Sequence, residues 1–350
     1  MRVPWIRKRS RATRGRLICA VLALGFALAD GARGEIVTLS GEYGYEKSVA
    51  RNLAPGTMVD ARGARFRVAN SKNSSPASSA DCKNGPLPDN PYPLQIYDSP
   101  SAVLLGGQFE GEVPQDSDWE YTSCDSAAVR IWDSPNSAVE GVRARRVSDG
   151  VRFSRQSPLF KLDEAWLSDA RGDCVENDSL RSGLIKDVLL DGCFAGINVR
   201  ASGERTEEAL GETVTLAGVL LRLQPYLYKG KISHGAPLKV DQSSPAFQIY
   251  DSVFAITGAE LISRKQFAIG WEKITDCRNN MLLWISDIPW PGKHMEPPSC
   301  FRVVQGELAR SLWESVRQNW INCHFSLIRF TDDPVSDPLE CDTGFYGGKY

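Results

Sequence analysis

Four strand-like triplets stand between residues 129 and 199 of this chain: Val129-Arg130-Ile131, Val151-Arg152-Phe153, Val175-Glu176-Asn177 and Ile197-Asn198-Val199. They begin 22, 24 and 22 residues apart, and a repeat of this length is typical of one coil of a solenoid. Successive side chains on a strand face opposite sides, so the first and third residues of each triplet face the core. The spacing therefore predicts an all-β fold in which parallel strands stack coil upon coil.

The second residue of each triplet is predicted to face outward, in a column that continues one register later. The two columns read Arg130, Arg152, Glu176, Asn198 and Trp132, Ser154, Asp178, Arg200. A polar, charged and aromatic stripe on a rigid rod is a surface suited to long sugar chains.

A hexad pattern sets the predicted extent of the coils. It occurs three times, as Leu94-Gln95-Ile96-Tyr97-Asp98-Ser99, as Val129 to Ser134 and as Phe247 to Ser252. Residues 184–190 and 214–220 are expected to supply the second core-facing strand of their coils. We predict a signal peptide at 1–34, an N-terminal cap and surface loop at 35–93, the parallel β-helix at 94–262, and a C-terminal cap with a helix and disulfides at 263–350.

The first 34 residues have the composition of a secretory signal. Seven basic residues between Arg2 and Arg16 precede an apolar run from Leu17 to Ala29, and Ala27-Leu28-Ala29 or Ala32-Arg33-Gly34 offers a small-residue cleavage site. The apolar run is short for a membrane span, although an uncleaved anchor is the alternative. We therefore predict export to the periplasm or the extracellular space, without stable membrane insertion.

Bulk composition describes a folded protein with no electrostatic preference for nucleic acid. Hydrophobic residues make up 42% of the 350 residues, and the formal net charge is −2. A sizeable core is available, and a basic surface for nucleic acid is not indicated. We expect one elongated body and a monomer.

The cysteines predict disulfides. Without Cys19 of the signal the chain retains eight: Cys82, Cys124, Cys174, Cys193, Cys277, Cys300, Cys323 and Cys341. An even set in an exported protein favours pairing. We expect Cys174 and Cys193 to staple neighbouring coils, and the last four to pair among themselves. A structural zinc site is disfavoured, because the chain has no CxxC pair and only three histidines.

One helix is predicted near the C-terminus, between Val304 and Trp320. Its apolar residues recur with a helical period, at Leu308, Leu312, Trp313, Val316 and Trp320. We expect this helix to close the C-terminal end of the solenoid, with Trp313 and Trp320 in the core of that cap.

Residues 147–200 resemble the right-handed parallel β-helix proteins of the pectin lyase-like superfamily, and within it the polygalacturonase-type glycoside hydrolases. The family places acidic residues just before the strands of successive coils, and the corresponding stretches are Val147-Ser148-Asp149-Gly150, Gly172-Asp173-Cys174 and Phe194-Ala195-Gly196. The resemblance implies a right-handed coil and candidate catalytic roles for Asp149 and Asp173. Gly172 replaces the first aspartate of a family pair and Ala195 replaces the family histidine, so the family's general acid is missing.

Glu176, Asp178 and Arg200 complete the candidate catalytic set, and two interpretations stay open. As chemistry, carboxylates and arginines would bind and polarise an acidic sugar, and an arginine or lysine would remove the proton in β-elimination, with or without calcium on oxygen ligands. As structure, Glu176 with Arg152 and Asp178 with Arg200 would be ion pairs on a solvated face, each stabilising by less than ~1 kcal/mol.

The candidate substrate-binding residues are Arg130, Trp132, Arg152 and Asn198. Trp132 and Tyr97 occupy matching outward positions and would either stack on sugar rings or stabilise the sheet as a cross-strand pair. Asn177 is expected to point inward into a hydrogen-bonded network. We predict an exported polysaccharide-interacting protein, with a polysaccharide lyase or glycoside hydrolase acting on an acidic glycan as one interpretation and a non-catalytic surface or matrix protein as the other.

Overall fold

The structure is a computed structural model that describes residues 34–68, 92–116, 118–119, 126–201, 209, 211–259 and 261–325. Every strand pair in its two larger sheets is parallel. The strands form three ladders, which we call ladders I, II and III, and each complete coil contributes one strand to each ladder. This arrangement is consistent with a parallel β-helix.

Ladder I consists of β2 (Ser48–Arg51), β4 (Leu94–Tyr97), β7 (Ala127–Trp132), β10 (Asp149–Ser154), β13 (Asp173–Asn177), β16 (Ala195–Asn198) and β21 (Leu238–Lys239). Two long strands, β1 (Ile36–Gly44) and β3 (Met58–Val68), start both other ladders. Ladder II continues through β5 (Val103–Leu105), β8 (Ala138–Glu140), β11 (Phe160–Asp163), β14 (Gly183–Lys186), β17 (Thr213–Ala217), β22 (Ala246–Tyr250) and β25 (Ile274–Arg278). Ladder III continues through β6 (Gln108–Gly111), β9 (Arg143–Arg145), β12 (Trp166–Ser168), β15 (Leu189–Cys193), β18 (Leu220–Leu223), β23 (Val253–Thr257), β26 (Asn280–Ile285) and β27 (Phe301–Gln305).

A third, small sheet includes a hairpin inserted between β18 and β21 and one strand that follows β23. It contains β19 (Tyr226–Tyr228), β20 (Lys231–His234) and β24 (Leu261–Ile262), and β19 and β20 pair as an antiparallel hairpin. Two α-helices lie wholly within the described residues, α1 (Arg264–Glu272) and α2 (Gly306–Phe325), with a 3₁₀ turn at Lys293–Met295.

The four triplets stack as the spacing predicted. Val129, Val151, Val175 and Ile197 are paired in register along ladder I, and each is at most 1% exposed. Aliphatic side chains from all three ladders meet in one continuous core. Burial of this column explains the repeat, because each coil can bury its apolar face only against its neighbours.

The hexad encodes a strand followed by a corner. Asp98, Asp133 and Asp251 have φ values of 48°, 48° and 52°, a left-handed conformation that aspartate tolerates better than most residues. The serine that follows each of them is fully buried and donates its hydroxyl to the carbonyl two residues earlier. The first two copies lie in ladder I, whereas the third is β22 of ladder II, so the hexad marks a corner type and not one face of the solenoid.

Strand pairing extends beyond the predicted coil limits of 94–262 at both ends. β1, β2 and β3 precede Leu94 and pair with coil strands, and β25, β26 and β27 follow Ile262 in the same ladders. The period was hidden there by the long insertion before Leu94 and by the helix that replaces a ladder I strand after Ile262.

That replacement is α1, which the sequence analysis did not predict. It packs against β21, the last strand of ladder I, and buries Phe267 and Trp271 in the main core. α1 thus occupies the place of a ladder I strand in the last coil.

The C-terminal helix α2 spans Gly306–Phe325, close to the predicted range, but its position differs from the prediction. Trp313 and Trp320 are 1% and 6% exposed, as expected for core residues. They pack on outward-facing residues of ladder III such as Leu189 and Leu220. The helix therefore covers the flank of the solenoid, because ladder III carries apolar residues on both faces in this region.

Two disulfides lie among the described residues. Cys174 and Cys193 are bonded directly, with Cα atoms 5.6 Å apart, and Cys277 is bonded to Cys300. Cys323 is also disulfide-bonded, while Cys82, Cys124 and Cys341 lie outside the described residues. Bonded cysteines indicate an oxidising, exported environment.

Candidate functional site

Three carboxyl groups of ladder I meet at the start of neighbouring strands. Asp149 is the first residue of β10, Asp173 is the first residue of β13, and Glu176 lies three residues further along β13. One oxygen from each of the three lies within 4.8 Å of the others. We call Asp149, Asp173 and Glu176, together with the neighbouring Asp178, the carboxyl cluster.

A backbone contact fixes Asp149 against Asp173. The main-chain N–H of Asp173 donates to Asp149 Oδ1 at 2.7 Å. A Cβ atom at position 172 would overlap the same carboxylate oxygen, so only glycine leaves room for it. Gly172, which departs from the family pattern, is therefore the residue that lets the Asp149 carboxyl reach its neighbour.

Ala195, the other departure, sits in a tightly packed position. It pairs with Asp173 across the ladder and is fully buried. A Cβ atom at Gly235 would lie 2.7 Å from the Ala195 methyl carbon. A histidine side chain has no space there, so no imidazole from position 195 enters the cluster.

Lys239 is a member of the site that the sequence analysis missed. Its Nζ donates to Asp173 Oδ1 at 2.9 Å and to Oδ2 at 2.8 Å, and Asn198 Nδ2 donates to Asp173 Oδ2 at 2.8 Å. Lys239 follows Asn198 in the outward column of ladder I. The signal was the triplet Leu238-Lys239-Val240, hidden by the long insertion that separates it from Ile197.

Arg152 joins Glu176 to Asp178. Its Nε donates to Asp178 Oδ2 at 2.6 Å and lies 3.2 Å from Glu176 Oε2, and an Nη donates to the Tyr92 hydroxyl at 2.8 Å. The predicted pair of Glu176 with Arg152 is present, but Asp178 pairs with Arg152 and not with Arg200. The side chains of Arg152, Glu176 and Asp178 are only 9%, 12% and 7% exposed.

This burial corrects the expectation of a solvated charge ladder. The small stabilisation of an exposed pair does not apply to buried charges, since both lose hydration and the loss of one partner leaves the other uncompensated. The four carboxyls and the two cations, Arg152 and Lys239, would together carry two net negative charges if all were ionised. The cluster therefore favours taking up protons.

The electrostatics of Asp149 and Glu176 agree with that conclusion. Burial first, and the neighbouring Asp173 second, raise the pKa of Asp149 to about 7. Burial and then the Asp149 charge raise the pKa of Glu176 well above its ordinary value. Both shifts act toward fewer negative charges in the carboxyl cluster.

Stability is expected to fall as the pH rises from about 4 to about 7, because Asp149 binds its proton more tightly in the folded state than in the unfolded chain. Asp149→Asn keeps an acceptor for the Asp173 N–H and cannot ionise. In denaturant unfolding, the free energy of unfolding should fall less for the variant than for the parent across this pH range, by something on the order of 2–4 kcal/mol. The exposed Asp287→Asn serves as the control, and equal slopes for parent and Asp149→Asn would contradict the assignment.

Calcium fits this residue set poorly. Carboxylate oxygens from Asp149, Asp173 and Glu176 are ligands that Ca²⁺ prefers. Both oxygens of Asp173 already accept from the Lys239 ammonium, however, and Arg152 lies against Glu176. A divalent cation would have to displace one positive side chain and share the space with the other, so protons are the better counter-charge.

The aromatic residues of the stripe stack with arginines. Tyr97 and Trp132 are paired across ladder I with ring centroids 5.8 Å apart. The guanidinium carbons of Arg130 and Arg155 lie 3.7 Å and 4.4 Å from the Trp132 ring centroid. Such cation–π contacts stabilise the sheet and occupy ring surface that a sugar would need.

The remaining candidates lie at the edge of the cluster or point away from it. The main-chain N–H of Arg200 donates to Asn198 Oδ1 at 3.2 Å, and its side chain forms no ion pair with the described residues. Asn177 is buried, as expected, and its side chain donates to the carbonyl of Arg181 at the following corner. Asp149, Asp173, Glu176, Asp178, Arg152 and Asn198 are therefore brought together, whereas Arg130, Trp132 and Arg200 are not part of the cluster.

Comparisons with known proteins give no family for this chain, so a functional assignment depends on the residues described above. No protein-family model matches the chain, and no curated protein matches it. Within the described part of the chain, no helix is both long enough and apolar enough to cross a membrane.

Proposed function

We propose that this protein is an exported right-handed parallel β-helix of the pectin lyase-like kind that cleaves an acidic polysaccharide at the carboxyl cluster. It acts as a monomer in the periplasm or outside the cell, after removal of its signal peptide. Its partner is the glycan alone, without nucleic acid and without stable insertion into a membrane.

One observation carries the proposal: two adjacent buried carboxyls have different partners. Asp173 accepts hydrogen bonds from Lys239 Nζ at both oxygens, whereas Asp149 accepts from a main-chain N–H, and its burial beside Asp173 raises its pKa to about 7. Environments that separate two neighbouring carboxyls in this way assign an acid and a base. Asp149 is then the proton donor to the leaving sugar oxygen, and Asp173 is the carboxylate that assists the attack.

Hydrolysis is favoured over β-elimination by the contacts that the basic residues already make. Elimination requires an uncharged base that accepts the proton next to the uronate carboxyl. Lys239 Nζ already donates to both oxygens of Asp173, and Arg152 lies between Glu176 and Asp178. Neither cation is available as a base, so the carboxyl pair is the better candidate.

Asp173→Asn is expected to lower turnover on a cleaved acidic polysaccharide by about a hundredfold or more, because it removes a charge used in the reaction while keeping the side-chain shape. Asp149→Asn should do the same by removing the proton donor. The assay records new reducing ends and, in parallel, the ultraviolet absorbance of unsaturated products, on a panel of uronate-containing and neutral polysaccharides.

The control for this assay is Asp287→Asn, an exposed carboxylate outside the cluster. Formation of unsaturated products would show that the reaction is β-elimination and not hydrolysis. Full activity in both cluster variants would contradict the catalytic proposal. The anomeric configuration of the first product would distinguish attack by a carboxylate from attack by water.

A non-catalytic carbohydrate-binding or structural role is the second candidate, and burial favours it. The carboxyls are largely enclosed, and Asp173 is only 4% exposed. Lys239 and Asn198 already satisfy both of its oxygens. Binding of a polysaccharide without any cleavage, combined with a loss of stability in the cluster variants, would identify this role.

A further inference from the structure

A second polar groove lies on the outer face of ladder III, on a different face of the solenoid from the carboxyl cluster. It has a volume of about 700 Å³, which is within the range of small-ligand sites. Strands β3, β6, β9, β12, β15 and β18 form its floor, and Arg317 of α2 contributes to its wall. No residue of the proposed catalytic cluster takes part in it.

Arginines dominate the lining of the groove. They are Arg65, Arg67, Arg143, Arg145, Arg222 and Arg317. Four acidic residues also line it, so the formal balance is two positive charges. Five of the six arginines are held by carboxylates, because Arg222 and Arg317 share Asp191 and the other three pair with glutamates.

Arg143 is the exception. It forms no ion pair with the described residues, and its guanidinium carbon lies 3.5 Å from the ring centroid of Phe325. The side chain is partly buried, and that burial lowers the pKa of Arg143. A guanidinium that has lost part of its hydration without gaining a counter-ion is a binding position for an anion.

Trp166 stands next to Arg143. The two residues are register partners on the neighbouring strands β12 and β9, about 5 Å apart in the backbone. Trp166 also lines the groove, and its indole N–H has no acceptor among the described residues. An aromatic ring and a guanidinium without an ion pair among the described residues therefore lie side by side, which suits a ligand that carries both a ring and an acid group.

We propose that this groove binds an acidic oligosaccharide, with a sugar carboxylate on Arg143 and the sugar ring beside Trp166. The planar guanidinium matches a carboxylate in a two-bond geometry, and aromatic side chains offer an apolar face with a polar edge to sugars.

The test measures calorimetric binding of an oligogalacturonate, with a neutral malto-oligosaccharide of equal length for comparison. Asp173→Asn protein serves as the background, so that any cleavage at the cluster does not consume the probe. We expect the acidic probe alone to bind, and Arg143→Gln to weaken its binding at least about tenfold. The matched control is Arg302→Gln, an exposed arginine of β27 outside the groove, which should bind as the background protein does.

Arg143→Lys checks that the loss comes from the geometry of the guanidinium and not from misfolding. It keeps the charge but loses the two-bond contact, so its affinity should lie between that of the background protein and that of Arg143→Gln. Absence of oligogalacturonate binding, or equal binding by Arg143→Gln, overturns the inference. Cleavage by the parent with unchanged binding by Arg143→Gln overturns this inference alone, while binding that depends on Arg143 without any cleavage overturns only the proposed hydrolysis.

Discussion

Val175→Asp is expected to abolish soluble folded protein. Val175 is 0% exposed and stacks between Val151 and Ile197 in the core column of ladder I. A carboxylate there would be buried without a counter-ion, at a cost of several kcal/mol or more, which is comparable with the whole stability of an ordinary domain. Recovery of soluble protein after expression, followed by far-ultraviolet circular dichroism, measures the effect.

Val49→Asp is the matched control for that substitution. Val49 also lies on a ladder I strand, but it is 40% exposed, so the same carboxylate would remain in water. We expect this variant to fold with little loss of stability. A well-folded Val175→Asp protein would show that the column is not the interior of the solenoid.

Lys239→Met is expected to destabilise the protein by roughly 3 kcal/mol at neutral pH, near the lower end for breaking a buried ion pair. Lys239 donates to both oxygens of Asp173, and its own side chain is 25% exposed, which places the effect at the lower end. Without it, Arg152 would be the one cation left inside the carboxyl cluster. The loss should shrink toward pH 4, because carboxyls that bind protons no longer need the ammonium.

Denaturant unfolding of the parent and the variant at two pH values measures this effect. Lys47→Met removes an exposed lysine and should change stability by less than about 0.5 kcal/mol. Lys239→Arg keeps a cation at the site and should recover part of the loss. A loss that is the same at both pH values would contradict the role of Lys239 as a counter-charge for the cluster.

The core of ladder I was predictable from the sequence because burial there has a short and regular period. Val129, Val151, Val175 and Ile197 show it, since every coil between them has nearly the same length. The period is lost at β21, where the hairpin of β19 and β20 lengthens the coil, and in the last coil, where α1 takes the place of a ladder I strand. Such insertions leave the strand pairing intact, but they remove the regular sequence spacing from which the pairing could be predicted.

The candidate site was predictable only where its residues lie on coils of regular length. Asp149 and Asp173 stand at equivalent positions, two residues before a core valine, and this places them on neighbouring strands at the same edge of ladder I. Lys239 lies in the same outward column, but it comes 41 positions after Asn198 in the chain. Its membership depends on a coil length that composition and periodicity do not determine.

The sequence by itself determined the coil period and the inward aliphatic column, and it favoured a disulfide between the neighbouring coils that carry Cys174 and Cys193. These features arise from residues close in the chain or one coil apart, where side-chain alternation and local conformational preference decide the outcome. The tertiary structure alone decided that the charged column of ladder I is buried, that α2 covers ladder III, and that the third hexad belongs to ladder II. Burial and packing depend on which distant segments cover a surface, and an outward-facing charge becomes a buried one only when the rest of the fold encloses it.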